Sequence, residues 1–372
     1  CAKWEGLIVV DLMVANVIIP DHGANIKVIG VGGGGSNAVS RMFRERLPGI
    51  QYMVVNTDTQ ALVSSEVPLR ISIGEILTEG KGVGGNPELG AQSADESRED
   101  LHDAVRDADM VFVAAGMGGG TGTGAAPVIA EIVKETGALT VGVVTTPFMF
   151  EGARRMRTAQ EGIKELRDHT DTLLVIPNER LHVIATEEIT AENAFKMADD
   201  ILRLGVQSIA ELVTVAGEIN LDFADINSVM RDAGPAWMSI GRGEGENRAK
   251  EAAQDSISNP LLEVSVEGAT GVLFNITGGT DLKLSELHEA AEVLQRVVHP
   301  DANIIFGMAT DPKMENEVKL TVIATGFPTA DNMQDKEEEL KKLLAGTLTN
   351  GDTDVDLPPF LRRVSKYAVG AE

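Results

Sequence analysis

The sequence has a single cysteine, Cys1, so no disulfide can form within the chain. That suits a reducing, cytosolic setting. Aromatic residues make up only 4% of the chain, too few for a broad stacking surface. Basic residues are outnumbered, 32 Lys and Arg against 57 Asp and Glu, for a net charge of −25. Such a chain repels phosphate backbones, which argues against binding nucleic acid through a basic face. The six histidines show no HExxH spacing, and zinc ligation by His and Cys is not expected. No apolar run reaches spanning length. The most apolar early stretch, Leu7 to Ile19, is short and interrupted by Asp11, so it fits neither a membrane helix nor a signal sequence, and no direct membrane insertion is expected.

Glycine, by contrast, is plentiful at 39 residues. From Asn25 onward, apolar runs at Ile26–Val31, Tyr52–Asn56, Met110–Ala114, Leu139–Thr145 and Thr172–Ile176 read as strands. Helical patterns alternate with them at Asn37–Arg46, Leu89–Arg106, Gly122–Glu135, Gly152–Asp168 and Arg180–Thr186. Alternation of this kind predicts an α/β fold with a parallel sheet covered on both faces. A single long helix follows over Ala191 to Ala216, with apolar residues at helical spacing. A second, smaller α+β region is expected from Asn220 to about Pro328. Its strands are Gly271–Ile276, Asn303–Gly307 and Val318–Ala324, with a helix at Leu284–Val298. The expected organisation is an extension at 1–24, a nucleotide-binding domain at 25–189 and the long helix at 190–217. A second domain at 218–328, an acidic linker at 329–353 and a terminal peptide at 354–372 complete it.

Three glycine-rich segments punctuate the first domain. Gly30-Val31-Gly32-Gly33-Gly34-Gly35-Ser36-Asn37 joins the first strand to a helix. Backbone N–H groups at such a helix start suit an anion. This segment also satisfies GxGxxG, and Asp58 lies near the end of the second strand, where a dinucleotide fold places its ribose acid. Taken alone it would favour a nicotinamide enzyme. A second segment, Gly118-Gly119-Gly120-Thr121-Gly122-Thr123-Gly124, carries more glycine and hydroxyl than a turn needs. A third contains Gly84 and Gly85. A dinucleotide enzyme leaves the second segment unexplained; a nucleoside triphosphate uses all three.

Gly118 to Gly124 as written here is the signature by which the chain resembles the tubulin/FtsZ family, and within it the bacterial cell-division branch. Pro147-Phe148-Met149-Phe150-Glu151-Gly152, Ile176-Pro177-Asn178 and Asn220-Leu221-Asp222-Phe223-Ala224-Asp225 extend the resemblance over most of residues 25–328. It implies a GTP-binding domain joined by a long central helix to a smaller domain. It places Gly33, Gly34, Gly35, Ser36 and Asn37, together with Gly118, Gly119, Gly120, Thr121, Gly122 and Thr123, around the phosphates, and Gly84 and Gly85 at the γ-phosphate. Glu151 and Arg155 fall at the ribose, Asn178 at the base or sugar, Phe195 on guanine and Asp199 on its N–H groups. Taken singly, Phe195 could be core, Arg155 one of several arginines on a solvated helix face, and Asp199 a surface acid.

The resemblance makes Asp222 and Asp225, supported by Asn220, the acids that complete the hydrolytic site of the next subunit. Read from the residues alone, either aspartate could instead cap the helix that follows. The implied activity is assembly-dependent hydrolysis of GTP to GDP, with Mg²⁺ carried on the nucleotide. The implied partners are further copies of the chain, head to tail, and membrane-tethering or regulatory division proteins docking on residues 356–363. The implied location is the cytoplasm at mid-cell. A nucleotide-binding scaffold that does not hydrolyse remains the alternative from a different class.

Overall fold

The computed structural model describes residues 24–45, 47, 49–181, 190–214, 219, 221–258 and 268–327. The expected extension up to residue 23, the helix over 182–186, Asn220, the linker and the terminal peptide lie outside the described residues.

Strand β1 (Ile26–Val31) is buried along its whole length, as its unbroken apolar run requires of a strand covered on both faces. Its one charged residue, Lys27, is buried but satisfied: Nζ donates to Asp107 Oδ1 at 2.6 Å and to the Ala104 carbonyl at 2.8 Å. The parallel strands β2 (Ile50–Asn56), β3 (Leu69–Ser72), β4 (Met110–Gly116), β5 (Leu139–Thr146) and β6 (Thr172–Pro177) flank it in the order β3-β2-β1-β4-β5-β6. The order reverses between β1 and β4, which makes their carboxyl ends the switch point where such sheets hold ligands.

Alternate residues of each strand point to opposite faces, and the core divides accordingly. Ile26, Val28, Phe112 and Val141 pack with α1 (Gly32–Glu45) and the central helix α8 (Ala191–Thr214). Ile29, Val31, Val113 and Val144 pack on the other face with α5 (Arg98–Val105), α6 (Thr121–Glu135) and α7 (Ala153–Asp168). Two short helices, α2 (Thr59–Ser64) and α3 (Glu75–Thr78), flank β3, and α4 (Pro87–Glu96) precedes α5. The helix expected over Leu89–Arg106 is thus two, divided at Ser97, whose N–H returns to the Ala94 carbonyl at 3.1 Å.

The second region contains α9 (Phe223–Met230), β7 (Gly234–Glu244), α10 (Arg248–Ser258), β8 (Gly271–Gly278), α11 (Leu284–Gln295), β9 (Asn303–Thr310) and β10 (Glu317–Thr325). β7 serves both regions. Its first residues pair in parallel with β6, Thr172 opposite Gly234, and Trp237 to Glu244 pair antiparallel with β10. One ten-stranded sheet results, continuing β7-β10-β8-β9. Sequence reading passes over β7 because Gly234, Pro235, Gly241 and Gly243 look like breakers. The structure explains two of them: a Cβ at Gly241 or Gly243 would collide with the carbonyls of Ala252 and Arg248, so glycine lets α10 lie directly on the strand.

α8 runs the depth of the sheet. Its 24 residues span about 36 Å at 1.5 Å per residue. Phe195, near its start, meets Phe148, just beyond the carboxyl end of β5. At its other end a Cβ on Gly49, just before β2, would lie 3.9 Å from the Thr214 methyl. The helix therefore connects the carboxyl edge of the sheet to its amino edge.

Candidate nucleotide site

The three glycine-rich segments meet at the carboxyl ends of β1, β2 and β4. The first presses on the second: a Cβ at Gly32 would lie 2.7 Å from Gly122 N, and one at Gly34 would lie 3.3 Å from Gly116 Cα. A Cβ at Gly35 would strike the Ala114 carbonyl. The third segment presses on the second in turn, since a Cβ at Gly120 would lie 2.9 Å from Asn86 N and 3.2 Å from its carbonyl oxygen; a Cβ at Gly122 would lie 2.7 Å from the carbonyl of Gly116 at the end of β4. These glycines are needed for packing. Gly33, Gly84, Gly85 and Gly119 differ: nothing lies within 4 Å of their Cβ positions. All three segments thus contribute bare backbone to open space. Gly84 and Gly85 both have positive φ, 58° and 79°, a successive pair that other residues rarely adopt.

Two long helices begin here, α1 at Gly32 and α6 at Thr121, so two sets of unpaired N–H groups are presented at neighbouring strand ends. Hydroxyls shape the loops around them. Thr121 and Thr57 share a hydrogen bond of 2.7 Å, and the buried Thr123 hydroxyl accepts from Gly118 N–H at 2.8 Å. Thr57 escapes sequence reading because its role appears only once β2 and α6 are adjacent. Ser36 is buried with no partner for its hydroxyl, whereas Asn37 beside it is exposed.

On the far side of the cleft, Asn178 opens the turn after β6, and its buried Oδ1 has no hydrogen-bond partner. Buried polar atoms without partners are rare, and two of those in the described residues belong to this site. Arg155 binds Glu151 Oε2 at 2.6 Å and reaches the Gly118 carbonyl at 3.4 Å, while Glu151 Oε1 accepts from Phe148 N–H at 2.9 Å. Phe195 is 45% exposed and stands edge-on to Phe148 and Phe150, 5.6 and 6.1 Å between ring centres. One turn on, Asp199 is largely buried, and burial pushes its carboxyl up to about 6 although Arg41 lies 3.5 Å away and opposes the shift. The sequence signal for Arg41 is slight: two adjacent acids, Asp199 and Asp200, in an otherwise amphipathic helix call for a cation.

Asp222 and Asp225 stand elsewhere. They follow α8 and flank the start of α9, whose last carbonyl, that of Met230, accepts from Thr172 at the amino end of β6. Asp222 caps α9, with Oδ1 accepting from Asp225 N–H at 2.7 Å. Asp58 likewise caps α2, accepting from the N–H groups of Gln60 and Ala61. Among the described residues no group of three or more His, Cys, Asp or Glu side chains is arranged to hold a metal, and no helix is long and apolar enough to cross a membrane.

An α/β sheet whose switch point carries three interlocked glycine loops and two helix starts defines a nucleotide-binding protein of the phosphate-cradling class. Family comparison specifies it further. The Tubulin/FtsZ family GTPase domain matches residues 25–186, and the FtsZ family C-terminal domain matches residues 234–328. Among solved structures, an empty FtsZ dimer from M. jannaschii is 46% identical, with a TM-score of 0.77, covering 82% of this chain and 88% of that one. A point-mutant FtsZ from the same organism gives 45% and 0.78, covering 82% and 92%. CetZ1 from Haloferax volcanii, a GDP-bound monomer at 22% identity and TM-score 0.71, covers 84% and 97% and shares the fold. The chain belongs to the tubulin/FtsZ family of filament-forming GTPases.

Proposed function

We propose that the chain binds GTP across the carboxyl edge of β1, β2 and β4, assembles head to tail, and hydrolyses the nucleotide only where a second copy supplies Asp222 and Asp225. The observation that carries this reading is the depth of α8. The glycine loops lie at one edge of the sheet, and the acids follow the far end of a helix about 36 Å long at helical rise. Within one chain the acids cannot reach the phosphates. In a repeating contact between unlike faces they can, and such a contact builds an open filament.

The chain's own groups divide the work. Gly33, Gly34, Gly35, Gly119, Gly120 and Gly122 offer backbone N–H groups to the phosphates, with Gly84 and Gly85 toward the γ-phosphate, while Gly118 shapes the loop, its own N–H held by Thr123. Ser36 and Asn37 from α1 and Thr121 from α6 add side-chain contacts. Thr123 holds the loop through its buried hydroxyl. Glu151 and Arg155 face the ribose, Asn178 the base or sugar, and Phe195 the guanine ring, while Asp199 accepts from guanine N–H groups. The neighbour's Asp225 orients water, Asp222 assists with the oxygen its cap leaves over, and Asn220 supports them. Mg²⁺ arrives with the nucleotide. The filament serves cytoplasmic cell division at mid-cell, and residues 356–363 dock membrane-tethering or regulatory proteins. Phosphate release from GTP, measured at rising protein concentration, tests the proposal. Turnover per chain should climb steeply from near zero. Constant turnover at dilutions without polymer would refute the shared site.

A further inference from the structure

Arg41 leaves the third turn of α1, the helix that begins at the first phosphate segment, and crosses to α8. Its Nη2 lies 3.5 Å from Asp199 Oδ2, and its Nη1 lies 3.2 Å from Asp200 Oδ1. The two acids are not equivalent. Asp200 also faces Arg203 at 3.9 Å, and Arg203 itself binds Glu45 at 2.6 Å. Asp199 is the more buried, with 17% of its side chain exposed against 47% for Asp200, and Arg41 is its cation partner. The charges acting on it are Arg41 from α1 and Asp200 from its own helix, with Lys196 and Arg203 a turn away on either side. Val143, Leu174 and Ile176, the strand residues that meet the middle of α8 at Gly205, carry no charge.

We propose that Arg41 is a specificity-determining, positioning residue, which holds Asp199 as the ionised acceptor that guanine requires and so ties base recognition to the helix of the first phosphate segment. The inference rests on the reading of Asp199 as the guanine acceptor. The chemistry is simple. Guanine offers two parallel donors, N1–H and the 2-amino group, and a carboxylate accepts both. A protonated carboxyl presents a donor to one of them, and the match is lost. Burial pulls Asp199 toward the protonated form; a guanidinium at 3.5 Å opposes it.

The test measures GDP affinity of the full chain from pH 5.5 to 8.5 for the unmodified protein, R41M, R41K and D199N. The unmodified protein should hold a constant affinity well above pH 6 and lose it as the pH falls through about 6, where Asp199 takes up its proton. In R41M that loss should begin about one pH unit higher, since a neighbouring opposite charge lowers a carboxyl by about one unit or more. R41M should therefore bind about twofold more weakly at pH 7 and nearly tenfold more weakly at pH 5.5, yet match the unmodified protein at pH 8.5. R41K should restore the original profile. R41Q replaces R41M if the latter does not fold. A merely structural role for Arg41 predicts equal weakening at every pH, and that result would overturn the inference. D199N separates the two readings. It should lose the preference for GDP over ADP and show no step near pH 6. If D199N binds GDP normally, the assignment of Asp199 fails. If D199N behaves as expected while R41M weakens binding uniformly, only the role of Arg41 fails.

Discussion

Two buried aspartates at opposite ends of the molecule are held in opposite ways. Asp171, at the amino edge of the sheet, is fully buried and saturated. It accepts from Thr140 N–H at 2.8 Å and Asp232 N–H at 3.4 Å, with Lys134 and Arg231 at 3.7 and 3.6 Å. Asp199, on the nucleotide side, has Arg41 at 3.5 Å and a carboxyl pushed up to about 6. The same contrast runs through other polar groups. At the amino edge Asn25 and Lys27 are bonded to Asp109 and Asp107. At the carboxyl edge Ser36 Oγ and Asn178 Oδ1 are buried without partners. The saturated groups at the amino edge hold the fold; Ser36 and Asn178 at the carboxyl edge are left open to a ligand.

The largest effect that would break this contrast is on turnover. D225A should lower GTP hydrolysis at least about 100-fold, the range for losing a positioned acid or base, while GDP affinity stays within about threefold. Loss of nucleotide binding in parallel would place Asp225 in the same site as the glycine loops. Next come the two kinds of glycine. G35A must push against the Ala114 carbonyl and should destabilise by about 3 kcal/mol or prevent folding. G33A meets nothing within 4 Å, so its unfolding midpoint should hold while nucleotide affinity falls about tenfold. Equal stability losses would erase the distinction.

The aspartates themselves should respond with opposite sign. D171N leaves Lys134 and Arg231 facing a buried amide and should cost about 3 kcal/mol in urea unfolding at pH 7. D199N should instead stabilise the nucleotide-free protein, by about 1–3 kcal/mol. The sign follows from the raised carboxyl. The folded chain binds that proton more tightly than the unfolded chain, so ionised Asp199 opposes folding above about pH 6 and the opposition vanishes below the ordinary carboxylate range. The gain in D199N should fade accordingly as the pH falls from 6 toward 4. The smallest effect separates the two candidate catalytic acids: D222A loses the cap of α9 and about 1 kcal/mol, whereas D222N keeps a capping oxygen and should be nearly neutral.

Sequence reading recovers what periodicity and glycine encode. Five of the six strands of the first domain, all but the short β3, and the long helix follow from unbroken apolar runs and helical spacing, and the chain's resemblance to its family rests on Gly118 to Gly124. It fails where local signals and tertiary packing conflict. β7 is hidden by Gly241 and Gly243, which are small because α10 lies on them. Ser97 ends one helix and precedes the next within a continuous pattern. Arg41 and Thr57 are ordinary residues until α1 meets α8 and β2 meets α6. Asp222 shows why cap and catalyst could not be separated from sequence: its Oδ1 does cap α9, yet one carboxylate has two oxygens. A spacing argument sees the residue and not which oxygen is free.

The central claim is that hydrolysis needs two copies, one giving the nucleotide site and the other the acids. D225A retains the glycine loops and Asp199; D199N retains Asp225. Each alone should hydrolyse GTP poorly, for different reasons. Phosphate release from a mixture of the two, at fixed total protein, measures the claim directly. A shared site predicts a rate several-fold above the sum of the separate rates, because Asp225 of one variant meets GTP held by the other. A rate equal to that sum would show that each chain carries its own complete site, and would contradict the account.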